Sequence, residues 1–146
     1  MMDKSEIQQR CLQMATEMVS QAEQSINDLQ EALLSETKSS VGDKYETARA
    51  MLHEEQAKAR QHLQYATGLL QQITAINLSQ AASRIGLGSL VITSQGNYYI
   101  SAPLGKLFEE VYAISPLSPM AKALWGLKVM DEVPFNGRTV KVISVS

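Results

Sequence analysis

Between Asp3 and Lys38 the chain has neither glycine nor proline, and Gln, Glu, Ala, Met and Leu dominate. These residues give up little on entering a helix. Apolar side chains recur at Ile7, Cys11, Met14, Met18, Ala22, Ile26, Leu29 and Leu33, in steps of 4, 3, 4, 4, 4, 3 and 4. That rhythm is the seam of a coiled coil with one stutter in the middle. A second segment, from about Lys44 to Asn77, repeats it at Tyr45, Ala48, Leu52, Glu55, Ala59, His62, Ala66, Leu69, Ile73 and Ile76. Glu55 and His62 thin the middle of this seam, and Gly68 weakens the helix by roughly 1 kcal/mol relative to Ala. Ser39-Ser40-Val41-Gly42 between the segments is a connection short enough only for antiparallel neighbours. Residues 3–76 are therefore expected to form an antiparallel helical hairpin, each arm roughly 50 Å long. A two-helix hairpin of that length buries little, so it serves reach rather than enclosure of a small molecule.

Beyond Asn77 the texture changes. Gly86-Leu87-Gly88-Ser89 ends any helix, and Leu90–Thr93 and Tyr98–Ser101 flank the turn residues Ser94-Gln95-Gly96-Asn97. That is the pattern of a β-hairpin. Ser118-Pro119 can start a short helix over Met120–Leu127, with proline at its first position. Phe135-Asn136-Gly137-Arg138 is a turn, and Val140–Val145 a last strand. Strict alternation there places Val140, Val142 and Ser144 on one face and Lys141, Ile143 and Val145 on the other. The expected fold is α+β: a coiled-coil hairpin over 1–78, then a small domain over 79–146 with a mostly antiparallel sheet.

Charge follows the same division. Residues 1–76 carry seven Lys/Arg and eleven Asp/Glu, whereas 77–146 carry six and four. The net charge of −2 gives no field that would draw the whole chain to nucleic acid or membrane. The polar Met-Met-Asp-Lys-Ser-Glu start is no secretory signal, and no apolar run reaches the ~20 residues of a membrane span. A cytoplasmic protein with no membrane partner is the expectation. Cys11 is the sole cysteine, which excludes an intrachain disulfide and a cysteine metal cluster. Its seam position suits packing better than nucleophilic catalysis, as in an acyl transferase. His53 and His62, nine apart, do not share a metal. No phosphate loop, dinucleotide fingerprint, zinc-protease helix or nucleophile elbow is present. Lys58, Arg60 and His62 form a basic strip that is either a solvated face or an RNA contact.

Gly42-Asp43-Lys44-Tyr45-Glu46 lies at the expected hairpin tip. Asp43 and Glu46, three apart, fall on one side of a helical turn. They suit a capping box at the start of the second helix. They also suit a weak divalent-metal site that a partner completes, since two carboxylates leave most of the coordination shell of Mg²⁺ to other ligands.

The chain resembles the Gre family of bacterial transcript-cleavage factors. The tip resembles that family's Gly-Asp-Leu-x-Glu-Asn signature. Gly88-Ser89-Leu90-Val91 resembles its Gly-Ser-x-Val strand. Ser118-Pro119-Met120-Ala121-Lys122-Ala123-Leu124-Trp125-Gly126 resembles its Ser-Pro-Ile-Ala-Arg-Ala-Leu-x-Gly stretch, and Met130-Asp131-Glu132-Val133 the following Gly-Asp-x-Val. The resemblance implies an FKBP-like C-terminal domain that docks on RNA polymerase through Leu117, Ser118 and Pro119. It implies a hairpin that enters the secondary channel, with Asp43 and Glu46 holding Mg²⁺ jointly with the polymerase near the nascent RNA 3′ end. The factor would stimulate cleavage of backtracked RNA as an accessory protein, with no catalytic residues or small-molecule substrate of its own. Lys44, Tyr45 and Thr47 depart from the tip signature, and Leu117 stands where an Asp commonly precedes Ser-Pro. The alternative within the resemblance is a regulator that occupies the channel without cleavage. A stand-alone enzyme such as an acyl transferase is more remote.

Overall fold

The computed structural model describes residues 3–39, 43–79 and 83–146, and describes side chains outside 36–45. Two long helices come first, α1 at Lys4–Ser39 and α2 at Asp43–Thr74. Six strands and a short helix follow: β1 Leu90–Thr93, β2 Gly96–Ile100, β3 Gly105–Phe108, β4 Val111–Ile114, α3 Pro119–Leu124, β5 Glu132–Phe135 and β6 Arg138–Val145. The α+β class with two long N-terminal helices is thus as the periodicity requires. The expected connection at Ser39–Gly42 falls largely outside the described residues.

The seams behave as their chemistry dictates. Ile7, Cys11, Ala22 and Leu33 of α1 are buried, and Met14, Met18, Ile26 and Leu29 are partly covered. On α2, Ala66, Leu69 and Ile73 are buried, whereas Glu55 and His62 are exposed. Gln56, one position on from Glu55, is buried instead. A neutral amide is far cheaper to remove from water than a carboxylate.

The strands form one sheet in the order β3-β4-β2-β1-β6-β5. All neighbours are antiparallel except β2 and β4, which run parallel. Strands β3, β4 and β5 were not foreseen. Each has only four residues, and the β3–β4 turn is Glu109-Glu110, without the Gly, Asn or Pro that marks a hairpin. The helix expected over Met120–Leu127 is shorter. It stops at Leu124 because Gly126 adopts φ +80, the left-handed conformation that closes a helix.

Alternation along β6 needs correction. Val91 pairs with Val145 and Ile92 with Ser144, but Thr93 pairs with Val142, so Ile143 is an extra residue. This bulge returns Val145 to the side of Val140 and Val142, where it packs on the same core, and leaves Ile143 exposed.

The chain divides into two compact units, Ala15–Leu70 and Met1–Met14 with Gln71–Ser146. In the second, helices pack on both faces of the sheet. One face carries Val91, Ile100, Val140 and Val142 packed with Ala121 and Leu124 of α3 and with Ile85. The other carries Tyr99, met by the first turns of α1. Tyr99 donates its hydroxyl proton to Gln8 Oε1 at 2.6 Å, and Gln8 Nε2 donates to the Ile73 carbonyl at 2.7 Å. That carbonyl lies in the last turn of α2 and also accepts from Ile76 N at 3.2 Å, so the glutamine is its second donor. One glutamine thereby joins α1, α2 and β2 while every polar atom involved is satisfied.

Candidate functional site

The segment 115–126 is built by local hydrogen bonds. Ser118 has extended backbone (φ −68, ψ 152), and its Oγ accepts from Ala121 N at 3.3 Å, which caps α3. The same hydroxyl donates to the Ser115 carbonyl at 2.7 Å, and Ser115 Oγ accepts from Leu117 N at 3.1 Å. Pro119 occupies the first turn, where its missing N–H costs nothing. The result is a closed loop that holds Leu117 outward with 77% of its surface exposed. At the other end of α3, Gly126 N donates to the Ile85 carbonyl and Ile85 N to that of Leu127, so α3 is fixed to the segment before β1.

The motif Met130-Asp131-Glu132-Val133 also has a structural basis. Met130 adopts φ +80, and Asp131 Oδ2 accepts from Lys128 N at 2.9 Å. A positive φ is the conformation that glycine enters without steric cost, and the family pattern has glycine at this place.

At the start of α2, Glu46 is exposed, and the side chains of Asp43, Lys44 and Tyr45 lie outside those described. The capping box expected of Asp43 and Glu46 falls there too. Two carboxylates offer at most part of the oxygen shell of Mg²⁺. Among the described residues, no group of three or more His, Cys, Asp or Glu could hold a metal. On the basic strip, Lys58 Nζ lies 3.5 Å from Glu55 Oε1 with both side chains largely in solvent. Such a pair contributes about 0–1 kcal/mol. Arg60 and His62 are exposed, and the His62 ring stacks near Tyr65 at 6.5 Å.

Cys11 is buried with its thiol pushed up to about 11, chiefly by burial, with the Ser101 hydroxyl pulling slightly the other way. Ser101 Oγ has no hydrogen-bond partner of ordinary geometry, and a thiol beside it is a weak one. A thiol so protonated is inert. Burial raises Tyr99 in the same direction. Among the described residues, no helix is long and apolar enough to cross a membrane.

No family model matches the chain, and no curated protein does. Among solved structures, the transcription factor Gfh1 is 19% identical over 92% of each chain, with a TM-score of 0.40. GreA factor homolog 1 of Thermus thermophilus is 21% identical, covering 98% of this chain and 94% of that one, with a TM-score of 0.37. This chain is similar to Gre factor homologues. Gln8, Tyr99 and the Ile73 carbonyl carry no sequence signal of their partnership, because they lie on three elements far apart in the chain.

Proposed function

We propose that this chain is a Gre-type elongation factor of bacterial RNA polymerase, acting as an accessory protein in the cytoplasm. The C-terminal domain docks on the polymerase through Leu117, Ser118 and Pro119. The turn between α1 and α2 enters the secondary channel, where Asp43 and Glu46 hold Mg²⁺ jointly with the polymerase near the nascent RNA 3′ end. The observation that carries this reading is the tied 115–119 loop, which presents exposed Leu117 directly ahead of the Ser-Pro helix that matches the family pattern. An ion held between factor and polymerase supplies charge stabilisation for hydrolysis of the RNA phosphodiester. Within this scheme the chain's own carboxylates contribute ligands, and the loop fixes their delivery.

Lys44, between the two carboxylates, favours the second reading, a channel-binding regulator without cleavage. A cation there competes with Mg²⁺ for one carboxylate, although an exposed pair of this kind is worth only ~0–1 kcal/mol. A cleavage assay on backtracked complexes separates the readings. Under the first, Asp43→Asn and Glu46→Gln abolish stimulated cleavage yet still compete with wild type for the polymerase. Folding is kept, because Asn and Gln serve equally in a cap. Under the second, the wild type itself slows elongation and stimulates no cleavage. Cleavage by the wild type that neither substitution reduces would end the metal-delivery role.

A further inference from the structure

On the sheet face that meets α1, the helix covers only part of the strands. Register places Ile92 opposite Asn97, Asn97 beside Val111 and Val111 opposite Phe108. These four side chains form one row across β1, β2, β4 and β3. They floor a surface cavity of about 470 Å³, closed on the remaining side by Ile7 of α1. Three inter-strand spacings make the row about 14 Å long. That is the length of an extended segment of about four residues.

The rim is acidic. Glu109 and Glu110 form the turn that joins Phe108 to Val111 at one end of the row, and Glu6 stands in the first turn of α1. Among the described residues, no Lys or Arg lines the cavity. An apolar floor with one amide, edged by three carboxylates and no cation, selects for a ligand that is apolar at its centre and positive at its flanks. A volume in this range also suits one large anchoring side chain.

We infer that this cavity is a docking site for an extended basic peptide segment of a partner protein, with one large apolar side chain seated on Ile92, Val111 and Phe108. The flanking cations lie against Glu6, Glu109 and Glu110, and the Asn97 amide meets the peptide backbone. The site uses neither the 115–119 loop nor the start of α2, so it stands independently of the polymerase reading.

The test uses the full-length chain and an unlabelled peptide of alternating Arg and Ser around a central Phe. Calorimetry at low salt measures binding, and amide chemical shifts locate it. The expected result is binding with shifts at Ile92, Asn97 and Val111. Replacing Phe by Ser in the peptide weakens it by about tenfold, as loss of a buried aromatic anchor does. The double substitution Glu109→Gln with Glu110→Gln weakens it by about fivefold or more at low salt, and the difference shrinks as salt is added. Both glutamates are exposed turn residues, so the fold is expected to be retained, and the amide spectrum of the free variant checks it. The proposal fails if the wild type shows no binding at millimolar peptide, or if the Phe-free peptide binds equally well. It also fails if the Gln variants bind as the wild type does, or if the shifts map to residues 15–70.

Discussion

Met130 is held at φ +80 with its side chain 67% exposed, so it gains little burial in return for a conformation that crowds its Cβ. Its N–H is committed to the Val142 carbonyl at 2.9 Å, which keeps the backbone there. Met130→Gly is therefore expected to stabilise the protein by about 1 kcal/mol, the left-handed penalty less the added freedom of glycine in the unfolded chain. A rise in the urea midpoint with unchanged slope checks it. Cys11 gives the opposite kind of prediction. Burial holds its folded thiol up to about 11, above the ordinary thiol value of 9.0, so the unfolded chain loses the proton first as pH rises. Stability is complete below about pH 9 and falls between there and pH 11, by on the order of 2–3 kcal/mol. Tyr99, raised in the same direction, extends the loss upward. Urea melts at pH 8 and pH 10.5 should show the fall, and Cys11→Ala should flatten its first part. A melt of wild type that is level across that window would show the thiol is not desolvated in solution.

Among the elements, the joint between α1, α2 and β2 rests on Gln8. Tyr99→Phe leaves Gln8 Oε1 buried without its donor and should cost about 1–3 kcal/mol. Gln8→Leu takes the acceptor from the Tyr99 hydroxyl and leaves the Ile73 carbonyl with the Ile76 N–H alone, and should cost a similar amount. The double variant should cost less than the sum of the two, because once Gln8 is gone the hydroxyl it served is itself the liability. Additive costs in a double-mutant cycle would show that the bonds act separately. This joint also marks the limit of what the chain reveals in one dimension. The helices were legible because a seam repeats many times, and an error at one position, Gln56 for Glu55, does not disturb the rest. Strands β1, β2 and β6 were legible from alternation and turn chemistry. Strands β3 and β4 were not, since their turn is Glu109-Glu110, and four residues hold too few alternations to read. The bulge at Ile143 was invisible for a related reason, because an extra residue is defined by its partner strand and not by its own sequence. For the candidate site, the cap at Ser118 was legible from Ser-Pro at a helix start, whereas the outward placement of Leu117 was not, because it follows from hydrogen bonds within 115–118. The acidic cavity joins residues from positions 6 to 111 and left no local mark.

For the molecule as a whole, the decisive fact is that residues 1–14 belong to the same compact unit as the sheet. Ile7, Cys11 and Ile73 are fully buried, and Tyr99 with them. A fragment beginning at residue 79 would leave that sheet face in water. It would lose roughly 2 kcal/mol for each large apolar side chain left bare, and would strand the Tyr99 hydroxyl's surroundings as open surface. Such a fragment is expected to be unfolded or aggregated, even though all six strands and α3 lie within it. Removing the other unit is a different operation. Paired helices pack about 8–10 Å apart, so Met14 and Gln71 can be rejoined by a linker of about four Gly/Ser residues in place of 15–70. That variant keeps Ile7, Gln8, Cys11 and Ile73 and should unfold cooperatively. Its amide spectrum should match the intact protein at Tyr99, Ala121 and Val142. If docking resides in Leu117, Ser118 and Pro119, the rejoined variant should still bind the polymerase and compete with the intact protein for it. It should stimulate no RNA cleavage, having lost Asp43 and Glu46. A rejoined variant that folds but does not bind would move docking to residues 15–70. A fragment from residue 79 that folds cooperatively would show that the first turns of α1 are dispensable to the sheet.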